Sequence, residues 1–74
     1  MTQKELFWQG SEPKDCQLCG RQLHETFIDG RLLNQGHWAI LCPNCHRDLG
    51  AGLGLGKGQK YQKQPDGRWL KVDG

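Results

Sequence analysis

Two cysteine pairs govern what this chain can become. Two residues separate Cys16 from Cys19 and Cys42 from Cys45, and 22 residues lie between the pairs. Two-residue spacing lets both sulfurs of a pair reach one ion from a single tight turn. Two such turns supply a closed tetrahedral set of four thiolates, which suits Zn2+. The interval is a little longer than the usual one of about 15–20 residues, yet it suffices for a hairpin that returns the second pair to the first. Four-cysteine sites also hold iron, as a single ion or a cluster, and paired cysteines also form disulfides. A closed set has no open coordination position, so the expected cofactor is one structural Zn2+ held by Cys16, Cys19, Cys42 and Cys45.

The chain needs such a staple. It has 74 residues, of which 35% are hydrophobic and 11 are Gly. A chain this short buries only about 60% of the surface its unfolded form exposes. Each Gly also loses more backbone freedom on folding than any other residue. No apolar run approaches the roughly 18 residues of a membrane span. The start, Met1 to Trp8, has no apolar leader stretch, which points to a reducing cytoplasm, where cysteine pairs hold metal more often than disulfides.

Charge is uneven along the chain. Residues 1–45 carry a net −1 and residues 46–74 a net +3, for a total of +2. Four thiolates with one Zn2+ would add −2, which makes the loaded module formally neutral. Any attraction to a polyanion must therefore come from the local surplus after residue 56.

Four segments follow from composition and turn signals. Residues 1–15 form a polar N-terminal arm with one apolar cluster, Leu6-Phe7-Trp8, ended by Pro13. Residues 16–49 form the four-cysteine finger. Gly20 follows the first pair and permits the tight turn there. Arg21 to Ile28 reads as a strand, Asp29-Gly30 as its hairpin turn, and Arg31-Leu32-Leu33 as the return. Asn34-Gln35-Gly36 makes a second turn, and His37 to Leu41 a further strand. Pro43 suits a helix first turn, with Cys45 to Leu49 as a short helix that Gly50 stops. Residues 50–58 are a Gly-rich connector. Gly50, Gly52, Gly54, Gly56 and Gly58 alternate with Ala51, Leu53, Leu55 and Lys57, so an extended run would separate glycines from side chains, with Leu53 and Leu55 pinned to the core. Neither nucleotide-binding pattern fits: the P-loop fails at Ala51 and Gly58, and GxGxxG fails at Leu55 and Lys57.

Residues 59–74 read as a C-terminal β-hairpin packed on the finger. Pro65-Asp66-Gly67 is turn chemistry that pairs Gln64 with Arg68 and Lys63 with Trp69. Tyr61, Lys63, Trp69 and Lys71 then share one face, and Gln62, Leu70 and Val72 the other, which would pack on the finger. Rings interleaved with lysines are what a backbone-tracking nucleic-acid surface needs. The expected nucleic-acid contacts are Lys57, Lys60, Lys63, Arg68, Trp69 and Lys71. Trp69 and Tyr61 are also what a core this poor would recruit. The other expected partner is a host or phage protein, met through Phe7 and Trp8. His24 and His37 are expected as surface or packing residues.

Cys16 to Gly50 resembles a treble-clef zinc finger, in which a knuckle, a hairpin and a short helix carry the ligands. Leu41-Cys42-Pro43-Asn44-Cys45-His46 is similar to the end of zinc-stabilised HNH endonucleases. That resemblance implies a nuclease in which His46 and Asp29 would share a Mg2+. Ile28-Asp29-Gly30 lacks the usual His of that scaffold, however, and no base is evident, so a non-catalytic relative is expected. Phe27-Ile28-Asp29-Gly30, Gly52-Leu53-Gly54 and Asp66-Gly67-Arg68-Trp69-Leu70-Lys71-Val72, with the second cysteine pair, resemble a family of small phage and prophage proteins. That resemblance covers most of the chain and brings no established activity; it implies a phage-type protein, expected in the host cytoplasm. The expected fold is thus a small metal-stabilised, β-rich domain of treble-clef or zinc-ribbon type, with a short helix and a C-terminal β-hairpin.

Overall fold

The computed structural model describes residues 6–74; residues 1–5, the first part of the expected arm, lie outside the described residues. Its elements are β1 (Thr26–Arg31), β2 (Trp38–Leu41), α1 (Pro43–Leu49), β3 (Gly58–Lys63) and β4 (Trp69–Asp73). The strands form one antiparallel sheet in the order β2-β1-β3-β4. This is the small β-rich fold with one short helix that the sequence leads one to expect.

β1 is central and buried on both faces. Adjacent Phe27 and Ile28 are 0% and 2% exposed, and successive strand residues point to opposite sides, so both sides are covered. Rings cover the Phe27 side: Phe27 stacks on Tyr61 at 5.0 Å and meets Trp69 and Trp8 edge-on at 5.0 and 5.3 Å. The helix covers the other side, where a Cβ at Gly30 would lie 3.3 Å from the His46 ring. The buried cluster Cys16, Leu23, Phe27, Leu32, Leu41, Cys42 and Trp69 joins the cysteines to the rings.

Asp29-Gly30 is not a turn. Both residues lie inside β1, with Gly30 opposite Gly58 of β3 and Ala39 of β2. The lack of a side chain at Gly30 serves a close approach within the sheet and under His46. The turn between β1 and β2 is formed by residues 33–37, where Gly36 takes φ +69° and donates to Leu32 O at 3.1 Å. The stretch expected as a strand from Arg21 also starts later, at Thr26.

The C-terminal hairpin has the expected register. Lys63 pairs with Trp69, Gln64 N–H donates to Arg68 O at 2.7 Å, and Gly67 takes φ +89°. Its inward face is the reverse of the expected one. Trp69 is 5% exposed and Val72 45%, so the ring face is the one that packs. The arm explains this reversal. Trp8 N–H donates to Trp69 O at 2.9 Å and Lys71 N–H to Leu6 O at 2.8 Å, so residues 6–8 pair along the outer edge of β4. Trp8 is thereby laid over Phe27 and Tyr61.

The connector is not an extended ladder. Gly52, Gly54 and Gly56 take φ of +101°, +121° and +74°, and the chain turns back so that Gly54 and Gly58 bridge. Leu53 is half-buried, but Leu55 stands 97% exposed at the tip and pins nothing. No helix of the described residues is long and apolar enough to cross a membrane.

Candidate metal centre

The first knuckle is a tight loop ahead of β1. Cys16 N–H donates to Arg21 O at 2.8 Å, Gly20 N–H to Cys16 O at 2.9 Å, and Gly20 takes φ +75°. Arg21 N–H approaches Cys19 Sγ at 3.5 Å, so a backbone amide faces a sulfur. The second knuckle begins where β2 ends. Cys42 is the N-cap of α1, and its sulfur accepts from Cys45 N–H at 3.4 Å. Pro43 occupies the first helical turn, where its missing N–H has no cost. Gly50 closes the helix by donating to His46 O at 2.9 Å.

The four Sγ atoms converge, all lying within 4.8 Å of one another. Cys19 Sγ and Cys42 Sγ are 3.8 Å apart. A Zn–S bond of about 2.3 Å gives a tetrahedral S···S edge of about 3.8 Å, whereas a disulfide would need about 2.05 Å. The set thus fits one ion, and four thiolates suit zinc. Cys16 and Cys42 are buried, Cys45 half-buried and Cys19 exposed. With all four positions filled by protein, the ion would act as a structural tie and leave no place for water or substrate.

Two of the thiols are shifted in opposite directions. Burial opposes ionisation of Cys16, but backbone hydrogen bonds from Cys19, Cys42 and Leu18 outweigh it and bring that thiol down to about 6. Burial, reinforced by hydrogen bonds with the other three sulfurs and by the Cys16 charge, pushes Cys45 up to about 12. The backbone favours the Cys16 thiolate, and a bound cation would offset the burial and the Cys16 charge that oppose ionisation of Cys45.

One contact without a sequence signature ties the site to the sheet. Gln17 N–H donates to Ile40 O and its side-chain oxygen accepts from Ile40 N–H, both at 2.8 Å. The first knuckle thereby closes the free edge of β2. A glutamine inside a C-x2-C spacer is an ordinary polar spacer by sequence, so nothing marked it.

The other candidate residues are dispersed. Asp29 lies on the Phe27 face of β1, where its charge acts on Tyr61, and His46 lies on the Gly30 side. The two are not brought together for a shared Mg2+. His46 instead pairs through Nε2 with Gly52 O at 2.9 Å and holds the connector. Among the described residues, the four cysteines are the only group of three or more potential ligands that converges. His24 and His37 are exposed.

Of the six expected nucleic-acid contacts, Trp69 belongs to the core, 5% exposed with its ring edge-on to Phe27. It is corrected from a stacking platform to a packing residue. Arg68 is exposed but engaged, with Nε 2.8 Å from Asp66 Oδ2 and its guanidinium 4.1 Å from the centre of the Phe7 ring. Lys57 is exposed on the connector. Lys63 and Lys71 lie on the Tyr61 face of the hairpin and Lys60 on the opposite one. No family model, curated protein or solved structure matches the chain.

Proposed function

We propose that this chain is a non-catalytic, zinc-stabilised module that binds nucleic acid through the phosphate backbone. The order of knuckle, hairpin and cysteine-bearing helix supports a treble-clef reading, with the metal as the tie. One observation carries the polyanion reading. The two ion pairs among the described residues, Arg47 with Asp48 and Arg68 with Asp66, use arginines. Lys57, Lys60, Lys63 and Lys71 form no ion pair with any described acid. The C-terminal third thus carries uncompensated positive charge while the loaded chain as a whole is formally neutral.

Trp69 is enclosed, so recognition rests on ammonium–phosphate contacts and is expected to tolerate any sequence. The test is the salt dependence of binding to a short DNA duplex. Four lysine contacts set a log–log slope no steeper than about −3.6, and Lys63→Ala or Lys71→Ala each flattens it by about one. Binding that ignores salt, or no binding to duplex or single strand, removes the reading.

A further inference from the structure

The four sulfurs of the metal centre are not equally sheltered. Cys16 and Cys42 are buried and Cys45 is half-buried, but Cys19 is exposed, as are Leu18 and Gly20 on either side of it. Cys19 sits in the surface turn of the first knuckle, where Gly20 takes φ +75°. A reagent arriving from solvent therefore meets Cys19 before the other three.

A second sulfur is within reach of it. Cys42 Sγ lies 3.8 Å from Cys19 Sγ, and Cys42 is fixed as the residue that follows β2 and caps α1. A disulfide needs about 2.05 Å, so closing the pair asks for about 1.8 Å of approach. Cys19, on the exposed turn, is the partner with less packing to disturb. Thiol oxidation uses this arrangement: an accessible thiolate that reacts first and a neighbouring sulfur that resolves the product.

We infer that Cys19 is an oxidation site for hydroperoxides, and that its oxidation opens the metal centre by joining Cys19 to Cys42. The Cys19 thiolate attacks one peroxide oxygen. The O–O bond breaks, the sulfur becomes a sulfenic acid, and the departing hydroxide or alkoxide takes up a proton. The Cys42 sulfur then attacks the Cys19 sulfur. An S–S bond forms, the S–O bond breaks, and the hydroxide leaves as water after taking a second proton. For H2O2 the sum is two thiolates, one peroxide and two protons giving one disulfide and two waters; the sulfurs lose two electrons and the peroxide gains them. Disulfide sulfurs are no longer thiolate ligands. Cys16 and Cys45 alone then remain, half of a tetrahedral set, so the ion is given up. Metal binding in such a site is folding free energy, so its loss carries the fold with it. The inference rests on the zinc reading and not on nucleic-acid binding.

The test is H2O2 added in steps to the zinc-loaded full chain, freed of reductant, with a zinc-sensitive dye in solution. The expected result is one zinc released per peroxide consumed, with amide dispersion lost in step, and both restored by a thiol reductant and zinc. Tandem mass spectrometry of the partly oxidised chain, its remaining thiols alkylated, is expected to show the first disulfide between Cys19 and Cys42. Cys19→His keeps a zinc ligand at that position and is expected to hold its ion and lose the peroxide-driven release. Should that variant not fold, the disulfide map of the parent chain decides alone. Zinc that stays bound under peroxide, or a first disulfide that omits Cys19 or Cys42, overturns the inference and leaves the zinc reading standing. A freshly reduced chain that takes up no zinc removes both.

Discussion

The two ends of this sheet are held by different chemistry. At the cysteine end, α1 has seven residues and none is buried. A helix that short does not persist alone in water. What fixes it is the N-cap, the convergence of four sulfurs, and Gln17 on the edge of β2. At the hairpin end the contacts are aromatic. Phe27 is enclosed by Tyr61, Trp69 and Trp8, at ring distances of 5.0 to 5.3 Å. A site suited to one ion would replace apolar area with directional bonds where the chain has little to bury, and aromatic area is concentrated where it has some. The ends meet in one cluster, because Cys16 and Cys42 lie with Phe27 and Trp69.

That shared cluster makes metal removal the largest expected effect. Structural zinc contributes on the order of 10 kcal/mol, more than the whole stability of many small domains. Chelation at neutral pH, or Cys42→Ser, is expected to erase amide dispersion throughout, the hairpin included. Near-ultraviolet circular dichroism reads the ring cluster directly. A ring signal that persists after the metal is gone would mean that the two ends fold independently.

The next effect probes the other end. Phe27→Ala removes the ring that three others enclose and is expected to cost about 3–5 kcal/mol. Val72→Ala, on the exposed face of the same hairpin, is expected to stay within about 0.5 kcal/mol. Denaturation of the zinc-loaded chains measures both. Metal content should remain one ion per chain in each, since all four converging cysteines are kept. Loss of zinc from Phe27→Ala would show that the rings, and not the knuckles, set the sulfur geometry.

The contrast also explains which parts were legible in the sequence. Coordination leaves local marks: C-x2-C spacing, Gly20 after a pair, Pro43 and Gly50 around α1. The hairpin is equally local, since Pro65-Asp66-Gly67 fixes its register. The misreadings concern long-range packing. Asp29-Gly30 has strong turn chemistry, but Gly30 is needed where β1 passes Gly58 and the His46 ring. The glycine alternation suggests a ladder, yet its glycines serve positive φ in a braced turn. Period two separates the faces of the hairpin but does not say which is inward. Trp8, some 60 residues away in sequence, decides that by pairing with Trp69. The dispersal of Lys60 from Lys63 and Lys71 follows from the same alternation and was readable. The engagement of Arg68 by Asp66 and Phe7 was not.

The smallest effect lies where the ring cluster meets charge. Burial raises the Asp29 carboxyl above its ordinary range, and Tyr61 is raised first by burial and then by the Asp29 charge. A carboxyl whose folded value lies above its unfolded one binds its proton more tightly when folded, so it lowers stability as pH rises from the ordinary value of about 3.9 through the folded one. Asp29→Asn removes that penalty. The variant should melt higher than the parent at neutral pH, and the gap should narrow as both are taken towards acid, compared only where both still hold zinc. A second readout is independent of stability. Tyr61 is the single tyrosine of the chain, so alkaline absorbance reports it alone. In Asp29→Asn its titration should move down towards the ordinary phenol value without reaching it, because burial remains. A melting gap that is flat with pH, together with an unmoved tyrosine, would place the Asp29 carboxylate in solvent and leave the ring cluster as purely apolar packing.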